Sequence, residues 1–332
     1  MKAIEVEAPG GVEALRLVDL PEPAPGPGEV ALAVAYAAVN WGDTQKRAGI
    51  YPDPVPYPAV LGMEVAGIVA ALGTGVRDLR TGDRVAALCG PRLLGGYAET
   101  VVVPRPYVLC VPATMSLETA AAMPLAGLTA YHLLHSAYRL RRGETVLVHA
   151  AAGSVGQAVC QVASAVGARV IGTVGRADKV AAARMAGAEV VIDRSREDFV
   201  EVALEATGGR GVDLVIDSLG GEILPRSFDA LRIYGHLINI GEAAGEPNFP
   251  IRKKLYERST SMAGFEVLHA EPGSTRWRRG VRFVERLMGA GLLRIPIAAV
   301  LSLDEAAAAH ALLEGRGTAG KVLLRVRGDS AG

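Results

Sequence analysis

The segment at 146–175 constrains the fold of this chain more than any other stretch. It begins with a short apolar, β-branched run, which predicts a strand buried on both faces. A turn of small residues follows at 150–156, and a helical stretch at 157–166 ends at Gly167. Residues 169–174 predict the next strand. The order strand, glycine turn, helix and strand is one half of a dinucleotide-binding unit.

The small residues of this turn match the needs of a bound pyrophosphate. Phosphate groups bind backbone N–H groups at a helix N-terminus, and bulky side chains there would obstruct them. We expect Gly153 to let the backbone approach the phosphates and Gly156 to let the helix pack close to the strand. Ala151 occupies the first glycine position of the G-x-G-x-x-G fingerprint. The predicted pyrophosphate site is therefore Gly153, Ser154, Val155 and Gly156.

The rest of the chain predicts two kinds of structure. The first 110 residues contain Gly-punctuated, strand-like runs and a proline-rich loop at 49–58, which indicates a mostly β, barrel-like domain. From 146 to about 266, strands alternate with helices, as in a parallel, doubly wound sheet. Residues 276–326 add a helix, a strand, a helix and a strand. The predicted fold class is therefore α/β.

Charge and composition argue against several classes of protein. Lys and Arg number 35 and Asp and Glu number 35, so the chain lacks the basic footprint of a nucleic-acid-binding protein. Three cysteines are too few for a disulfide framework or a four-cysteine zinc site. Glycines and polar residues interrupt the apolar stretch at 146–175, and the N-terminus has no long apolar run, so neither a membrane span nor a signal peptide is predicted. We expect a cytoplasmic protein.

The residues after the second strand indicate which dinucleotide is bound. An NAD site has an acidic residue about 20 positions after the glycine turn, where it binds the ribose 2′-hydroxyl. Here Gly175 ends the strand, Arg176 and Lys179 follow, and Arg194 is expected to add a third cation. Small and cationic groups suit a 2′-phosphate, so NADPH is the predicted cofactor. The alternative for these cations is a solvated surface, and Asp178 is expected to cap a helix.

Motifs along nearly the whole chain follow the pattern of one family. They are the segments 143–147 and 151–156 with Gln161, the segment 40–43 with Tyr51, and the segments 61–67, 124–131 and 317–322. In these motifs the chain resembles the zinc-free quinone oxidoreductases of the medium-chain dehydrogenase/reductase superfamily, although Ser154 stands where the family usually has Gly. The resemblance implies a GroES-like, mostly β catalytic domain (1–122 and 267–332) and a Rossmann domain (123–266), with the active site in the cleft between them.

No metal site is predicted. The zinc-dependent members of the superfamily carry a Cys near the position of Asn40 and a Gly-His-Glu sequence, which here reads Gly62-Met63-Glu64. A catalytic zinc needs three protein ligands, so loss of the His removes the site. His132 and His135 are three residues apart on a predicted helix, as in a metal pair, but ordinary helix histidines are the favoured interpretation.

The resemblance implies hydride transfer from NADPH to an electron-poor, conjugated acceptor, a quinone or an α,β-unsaturated carbonyl compound. Without a metal, Asn40 or Tyr51 could donate a hydrogen bond to the developing oxyanion, and Lys321 is a candidate for catalysis or for holding the cofactor. Alternatively, proximity suffices and solvent supplies the protons. The resemblance also implies that Thr129 positions the nicotinamide. The predicted cofactor site is completed by Leu219, Ile240 and Gly241.

Two other functions are alternatives to a quinone reductase. The same glycine turn occurs in the enoyl-thioester reductase modules of polyketide synthases, and a non-catalytic NADPH-binding or RNA-binding protein is the alternative outside enzymes. The basic clusters at 251–258 and 276–282 are interpreted as solvated surfaces.

An apolar edge strand is predicted at 261–267, and exposed edges invite pairing. Because relatives dimerise through this region, we expect a homodimer, with the loop at 50–58 selecting the acceptor.

Overall fold

The computed structural model describes residues 1–328 of the 332-residue chain, and the chain divides into two compact units. Unit 1 combines the N-terminal segment Met1–Leu128 with the C-terminal segment that starts at Glu271. Unit 2 is the intervening segment Thr129–Ala270. Within residues 1–328, no helix combines the length and the apolar character that a bilayer crossing requires.

The N-terminal segment is mostly β, as its short β-branched runs predict. Its strands are β1 (Lys2–Val6), β2 (Leu15–Asp19), β3 (Glu29–Val39), β4 (Ala59–Val60), β5 (Glu64–Leu72), β6 (Arg84–Leu88), β7 (Thr100–Pro104) and β8 (Val108–Cys110). Its helices are α1 (Trp41–Ala48), α2 (Leu117–Ala121) and α3 (Pro124–His132), the last of which runs across the unit boundary. The proline-rich loop at 49–58 is irregular, as predicted.

The middle segment alternates strands and helices after a π-helical turn at Leu133–Ala137. Its strands are β9 (Thr145–Val148), β10 (Arg169–Val174), β11 (Val190–Asp193), β12 (Val212–Asp217), β13 (Leu231–Asn239) and β14 (Ser261–Gly264). Its helices are α4 (Ser154–Val166), α5 (Val180–Met185), α6 (Phe199–Ala206), α7 (Ile223–Ala230) and α8 (Ile251–Glu257). Helix α4 begins three residues before its predicted start, because Gly153 is already its N-cap.

The C-terminal segment contains the four predicted elements in the predicted order. They are α9 (Thr275–Gly289), β15 (Ile297–Ser302), α10 (Ala306–Glu314) and β16 (Lys321–Arg325). Helix α9 is amphipathic: Trp277, Val284 and Met288 are buried, and its arginines lie on the exposed face. This pattern explains why a helix so rich in arginine folds against unit 1.

The larger sheet of unit 1 has the strand order β15-β16-β3-β5-β6-β8, with β7 also paired to β3. Strand β3 lies antiparallel between β16 and β5, so that Val39 is opposite Val322 and Ala38 is opposite Glu64. This register brings the end of β3 beside the starts of β5 and β16. Residues far apart in the sequence therefore meet at one end of these three strands.

The sheet of unit 2 is parallel throughout, in the order β11-β10-β9-β12-β13-β14. The predicted doubly wound sheet is thus confirmed. Its strand order reverses between β9 and β12, and ligands of such sheets bind outside the carboxyl ends of the strands at that point. The core contains Leu147, Ile171, Val215 and Leu237, all fully buried.

Candidate active site: a glycine turn and a buried ion pair

The glycine turn joins β9 to α4 and is built almost entirely from backbone. Ala150 adopts a left-handed conformation with φ of 49°, and the Gly153 N–H donates to the Ala150 carbonyl at 2.9 Å. The first intrahelical bond runs from the Gln157 N–H to the Gly153 carbonyl at 2.8 Å. The N–H groups of Ser154 and Val155 precede that bond and carry the positive end of the helix dipole.

Two glycines in this turn are needed for different reasons. A Cβ atom on Gly156 would lie 2.3 Å from the Ala150 carbonyl oxygen, so this glycine lets α4 start against the end of β9, as predicted. A Cβ atom on Gly153 would find its nearest protein neighbour, the same oxygen, at 3.3 Å. That contact is tight, but among residues 1–328 no other atom outside the two chain neighbours of Gly153 lies within 4 Å of the added Cβ atom. An unobstructed row of backbone N–H groups at a helix N-terminus fits a pyrophosphate.

The departure from the glycine fingerprint at Ala151 is accommodated by the neighbouring strand. The Ala151 N–H donates to the Thr173 carbonyl of β10 at 3.0 Å, and Ala151 is fully buried. A Cβ atom on Gly172, beside it on β10, would lie 2.8 Å from the Ala151 methyl group. Gly172 thus provides the space that the extra methyl group occupies.

The predicted cations lie around the end of β10. Arg194 extends to Gly175, where an added Cβ atom would lie 3.4 Å from the Arg194 Nη2 atom. The positive charge of Arg194 also lowers the pKa values of His149 and Asp217, although burial is the largest influence on each. The Arg194 charge therefore lies along the carboxyl edge of the sheet. Lys179 is half-buried, and desolvation lowers its pKa.

Arg176 and Asp178 pair with each other on the surface. The Arg176 Nη2 atom lies 2.8 Å from the Asp178 Oδ2 atom, and both side chains are more than half exposed. The prediction that Asp178 caps a helix was wrong, since a 3₁₀ turn spans Ala177–Lys179 and Lys179 is the N-cap of α5. Asp178 is close enough in sequence to bind the arginine instead.

The other predicted cofactor residues lie at the carboxyl ends of β12 and β13. The Asp217 Oδ1 atom accepts the Leu219 N–H at 2.8 Å, and the Asp217 carbonyl accepts the Ile240 N–H at 2.8 Å. The Asn239 side-chain amide donates to the Gly241 carbonyl at 3.0 Å. Burial raises the pKa of Asp217 to about 6. Asp217 and Asn239 thus order both loops beside the point where the strand order reverses.

His149 at the end of β9 joins β10 to α7 through two hydrogen bonds, which sequence reasoning did not identify. Its Nε2 atom is 2.9 Å from the Ser227 hydroxyl, and its Nδ1 atom is 2.9 Å from the Thr173 hydroxyl. The Ser227 hydroxyl donates its hydrogen to the Ile223 carbonyl, so His149 carries its proton on Nε2. Burial lowers the His149 pKa to about 3 and keeps the ring neutral. The sequence feature that could have identified His149 is a polar residue at the end of an apolar strand.

A second cluster, in unit 1, contains Asn40, Glu64 and Lys321. The Lys321 Nζ atom donates to the Asn40 Oδ1 atom at 2.6 Å and to the Glu64 Oε1 atom at 2.7 Å. Lys321 is 1% exposed and Glu64 is fully buried. The register of β3 with β5 and β16 brings these three residues together, and the sequence alone identified only Asn40 and Lys321.

Glu64 also fixes the start of α3. Its Oε2 atom accepts the Leu125 N–H at 2.8 Å, so the carboxylate satisfies a donor in the first turn of the helix. The sequence identifies Glu64 only as the last residue of Gly62-Met63-Glu64, so this role was not predicted. A carboxylate at the start of a buried strand was the signal for its role.

Tyr51 lies beside α1, the helix that follows Asn40. The Lys46 Nζ atom lies 4.7 Å from the centre of the Tyr51 ring, and it donates to the Arg92 and Leu93 carbonyls. A Cβ atom on Gly42 would lie 3.2 Å from the Tyr51 ring and 2.8 Å from the sulfur of Met63. Tyr51 and Met63 therefore both border the first turn of α1, whose N-cap is Asn40.

The residues of α3 and of the π-helical turn after it have ordinary helix surroundings. Thr129 is buried. The His132 Nδ1 atom is 3.0 Å from the Ser136 hydroxyl, and the His135 ring stacks on Tyr131 with 4.6 Å between ring centres. Within residues 1–328, no group of three His, Cys, Asp or Glu side chains is arranged to hold a metal ion.

Comparisons with known proteins identify the family of the chain. Residues 26–113 match the family model described as alcohol dehydrogenase GroES-like domain, and residues 154–286 match that described as zinc-binding dehydrogenase. Quinone oxidoreductase 1 of Escherichia coli is 36% identical over 329 residues, which cover 97% of this chain and 98% of the relative. The 2-haloacrylate reductase of a Burkholderia species is 38% identical over 308 residues, covering 90% and 91%.

The solved structures give the same result. The crystal structure of Escherichia coli quinone oxidoreductase complexed with NADPH has a TM-score of 0.92 and 35% sequence identity. The match covers 98% of this chain and 100% of that chain. The resemblance seen in the sequence motifs is confirmed: the chain belongs to the quinone oxidoreductase family of the medium-chain dehydrogenase/reductase superfamily.

Proposed function

We propose that this protein is an NADPH-dependent reductase that transfers hydride to a quinone or an α,β-unsaturated carbonyl compound without zinc. The observation that carries the proposal is the unobstructed α4 N-terminus at Gly153, with the Arg194 guanidinium beside Gly175. Support comes from relatives named quinone oxidoreductase and 2-haloacrylate reductase, which indicate the two classes of acceptor. Support also comes from the relative crystallised with NADPH.

The preference for NADPH follows from charge at the end of β10. No carboxylate ends this strand, and the Arg194 Nη2 atom lies 3.4 Å from the position of a Cβ atom added at Gly175. A 2′-phosphate there would gain charge-assisted hydrogen bonds from a guanidinium. Lys179 is the second candidate cation, whereas Arg176 is already paired with Asp178. Arg194 and Lys179 are therefore the residues proposed to select the phosphorylated cofactor.

In the proposed reaction, bound NADPH supplies the hydride. The turn at Gly153–Gly156 would hold the pyrophosphate through backbone N–H groups, and Thr129 with the loops at Leu219 and Ile240 would orient the nicotinamide end. The Asn40 amide donates a hydrogen bond to the acceptor oxygen on which negative charge develops. Protons come from solvent, so no single side chain is assigned as a general acid.

Zinc independence rests on the residues that stand in place of the ligands. Met63 replaces the histidine, and Asn40 offers an amide where the zinc-dependent relatives carry a cysteine. The nearby Cys89 is buried, and burial raises the pKa of its thiol well above its usual value, so it stays protonated. Zinc requires thiolate, imidazole or carboxylate ligands, and this set does not fit it.

The domain roles, assembly and location belong to the same proposal. We propose that unit 1 is the catalytic domain (predicted as 1–122 and 267–332) and that unit 2 is the dinucleotide-binding domain (predicted as 123–266).

Strand β14 lies at a sheet edge and is mostly exposed, which favours a homodimer through this strand. Light scattering that gave a stable monomer would contradict the dimer. A cytoplasmic location, without nucleic-acid binding, remains a prediction for cell fractionation and binding assays.

The direct test follows NADPH absorbance with purified protein and a panel of acceptors. The panel contains 1,4-benzoquinone, 9,10-phenanthrenequinone, an alkenal and a crotonyl thioester, with chelator present. We expect oxidation with the quinones or the alkenal. Turnover of the thioester alone would favour an enoyl-thioester reductase, and tight NADPH binding without turnover would favour a non-catalytic NADPH-binding protein.

A further inference from the structure

We propose that Lys321 and Glu64 are positioning residues that turn the Asn40 amide into an obligate hydrogen-bond donor. Lys321 acts through Asn40 and does not itself contact the substrate. The identity of the group that receives this hydrogen bond, the acceptor oxygen, rests on the proposed function. The orientation of the amide rests only on contacts within unit 1.

Side-chain chemistry fixes which end of the Asn40 amide faces which neighbour. A lysine ammonium can only donate, so the atom 2.6 Å from the Lys321 Nζ must be the amide oxygen. The backbone carbonyl of Ala38 can only accept, and the Asn40 Nδ2 atom lies 3.3 Å from it. Two independent neighbours therefore require the same orientation, and rotation of the amide by 180° would break both hydrogen bonds.

The backbone of Asn40 is held as firmly as its side chain. The Asn40 N–H donates to the Asp43 Oδ2 atom at 2.9 Å, and the other oxygen of this carboxylate accepts the Gly62 N–H at 3.1 Å. Asp43 is fully buried. The residue therefore presents its side chain from a fixed position, which is the condition for stabilising charge at a defined atom.

One N–H of the amide is left for a ligand. The Nδ2 atom carries two hydrogens, and only the bond to Ala38 is found for them within residues 1–328. The amide oxygen faces the Lys321 ammonium, so the group that Asn40 offers a ligand is the second N–H donor. Such a group favours a carbonyl oxygen, and favours it more strongly when reduction places negative charge on that oxygen.

The ion pair is better explained by this role than by stability. Burying two charges costs desolvation free energy that their attraction often fails to offset, so a buried pair is weak evidence for stabilisation. Here each of the two charged groups also makes a hydrogen bond outside the pair. Lys321 holds the Asn40 oxygen, and Glu64 neutralises the ammonium while it accepts the Leu125 N–H.

The orientation can be measured without any substrate. The chain has three asparagines, Asn40, Asn239 and Asn248, so asparagine-selective ¹⁵N labelling gives three side-chain amide pairs. The Asn40→Asp variant removes one pair and assigns it. Asn248 is exposed and serves as the fast-exchanging reference. We expect the Asn40 pair to exchange with deuterium far more slowly than the Asn248 pair, and to lose this protection in Lys321→Met.

The kinetic test compares Lys321→Met with a matched variant, Arg47→Met. Arg47 is also buried in unit 1 and is ion-paired, with its Nη2 atom 2.7 Å from the Glu314 Oε1 atom, but it is not placed in either site. We expect both variants to lose thermal stability. Only Lys321→Met should lower kcat, by about 10- to 100-fold, at unchanged NADPH affinity. Lys321→Arg, which can still donate to both oxygens, should recover most of the kcat.

The outcomes separate this proposal from the proposed function. Unchanged Asn40 amide protection in Lys321→Met would overturn it. An equal loss of kcat in Lys321→Met and Arg47→Met would overturn it too, since it would reduce Lys321 to a structural role. If Lys321→Met does not fold, Glu64→Gln replaces it: loss of Asn40 protection would support the proposal, and unchanged protection would overturn it. If the wild-type protein reduces no acceptor, the proposed function fails, while the exchange measurement still decides the orientation.

Discussion

The glycine turn of unit 2 and the ion-paired cluster of unit 1 hold polar groups in fixed positions by different means. The turn offers backbone dipoles, and it requires that side chains be absent at Gly153 and at Gly156. The cluster offers side-chain atoms, so it requires these particular side chains at Asn40, Glu64 and Lys321. The turn should therefore be sensitive to added volume, and the cluster to exchange of single atoms.

The largest expected effect comes from adding volume to the turn. Gly156→Val would place its Cβ atom against the Ala150 carbonyl, a backbone group that cannot move aside. We expect a loss of about 3 kcal/mol in the free energy of unfolding and no detectable NADPH binding. Urea denaturation and fluorescence titration would measure these. Gly153→Ala is the control: it should fold normally and weaken only NADPH binding, and equal losses of stability would contradict the assignment.

The turn could be predicted from the sequence because its residues are adjacent. The spacing of Gly153 and Gly156 after an apolar strand determines both the backbone path and the direction of the N–H groups. The cluster could be predicted only in part, because it forms from the register of three strands. Without that register, nothing connected Glu64 with Lys321, and the amide orientation of Asn40 depends on both.

The second prediction concerns acid and the buried polar groups of unit 1. Burial lowers the pKa of His310 to about 3, so the ring is neutral in the folded protein, where it contacts Tyr97 and Arg47. The unfolded chain binds a proton below its ordinary pKa of 6.5. His310 therefore contributes stability above pH 6.5, and this is lost as pH falls towards 3, by about 2 kcal/mol between pH 7 and 5.

His310→Gln can make both hydrogen bonds without titrating. Its stability should therefore fall less than that of the wild type between pH 7 and 5, as measured by urea denaturation. Asp43 acts in the opposite direction: burial raises its pKa to about 6, so its contribution is lost as pH rises from about 4 to 6. Asp43 is present in both proteins, so the comparison cancels it. Parallel pH profiles for the two proteins would contradict the account.

The third prediction tests charge beside the turn. Arg194→Gln should lower the ratio of kcat/KM for NADPH to that for NADH by about tenfold, because a charge-assisted contact to the 2′-phosphate is lost. Arg176→Gln is the control, since Arg176 already pairs with Asp178 and is more than half exposed. A larger change in Arg176→Gln than in Arg194→Gln would reverse the assignment.

The smallest effect is expected at Tyr51. Its ring packs against Lys46 and the first turn of α1, and Phe would keep this packing. If Asn40 is the main donor to the acceptor oxygen, Tyr51→Phe should lower kcat by about fivefold or less. Steady-state kinetics with a quinone would measure this. A loss as large as that of Asn40→Asp would show that the hydroxyl, and not the amide, carries the charge stabilisation.

The most direct test of the central claim is turnover in the absence of metal. The protein would be dialysed against chelator, checked for zinc by atomic absorption, and assayed with 1,4-benzoquinone using NADPH and, separately, NADH. The account predicts undiminished turnover in the metal-free protein and a higher kcat/KM with NADPH. Loss of activity that added zinc restores, or equal kcat/KM for the two cofactors, would contradict it.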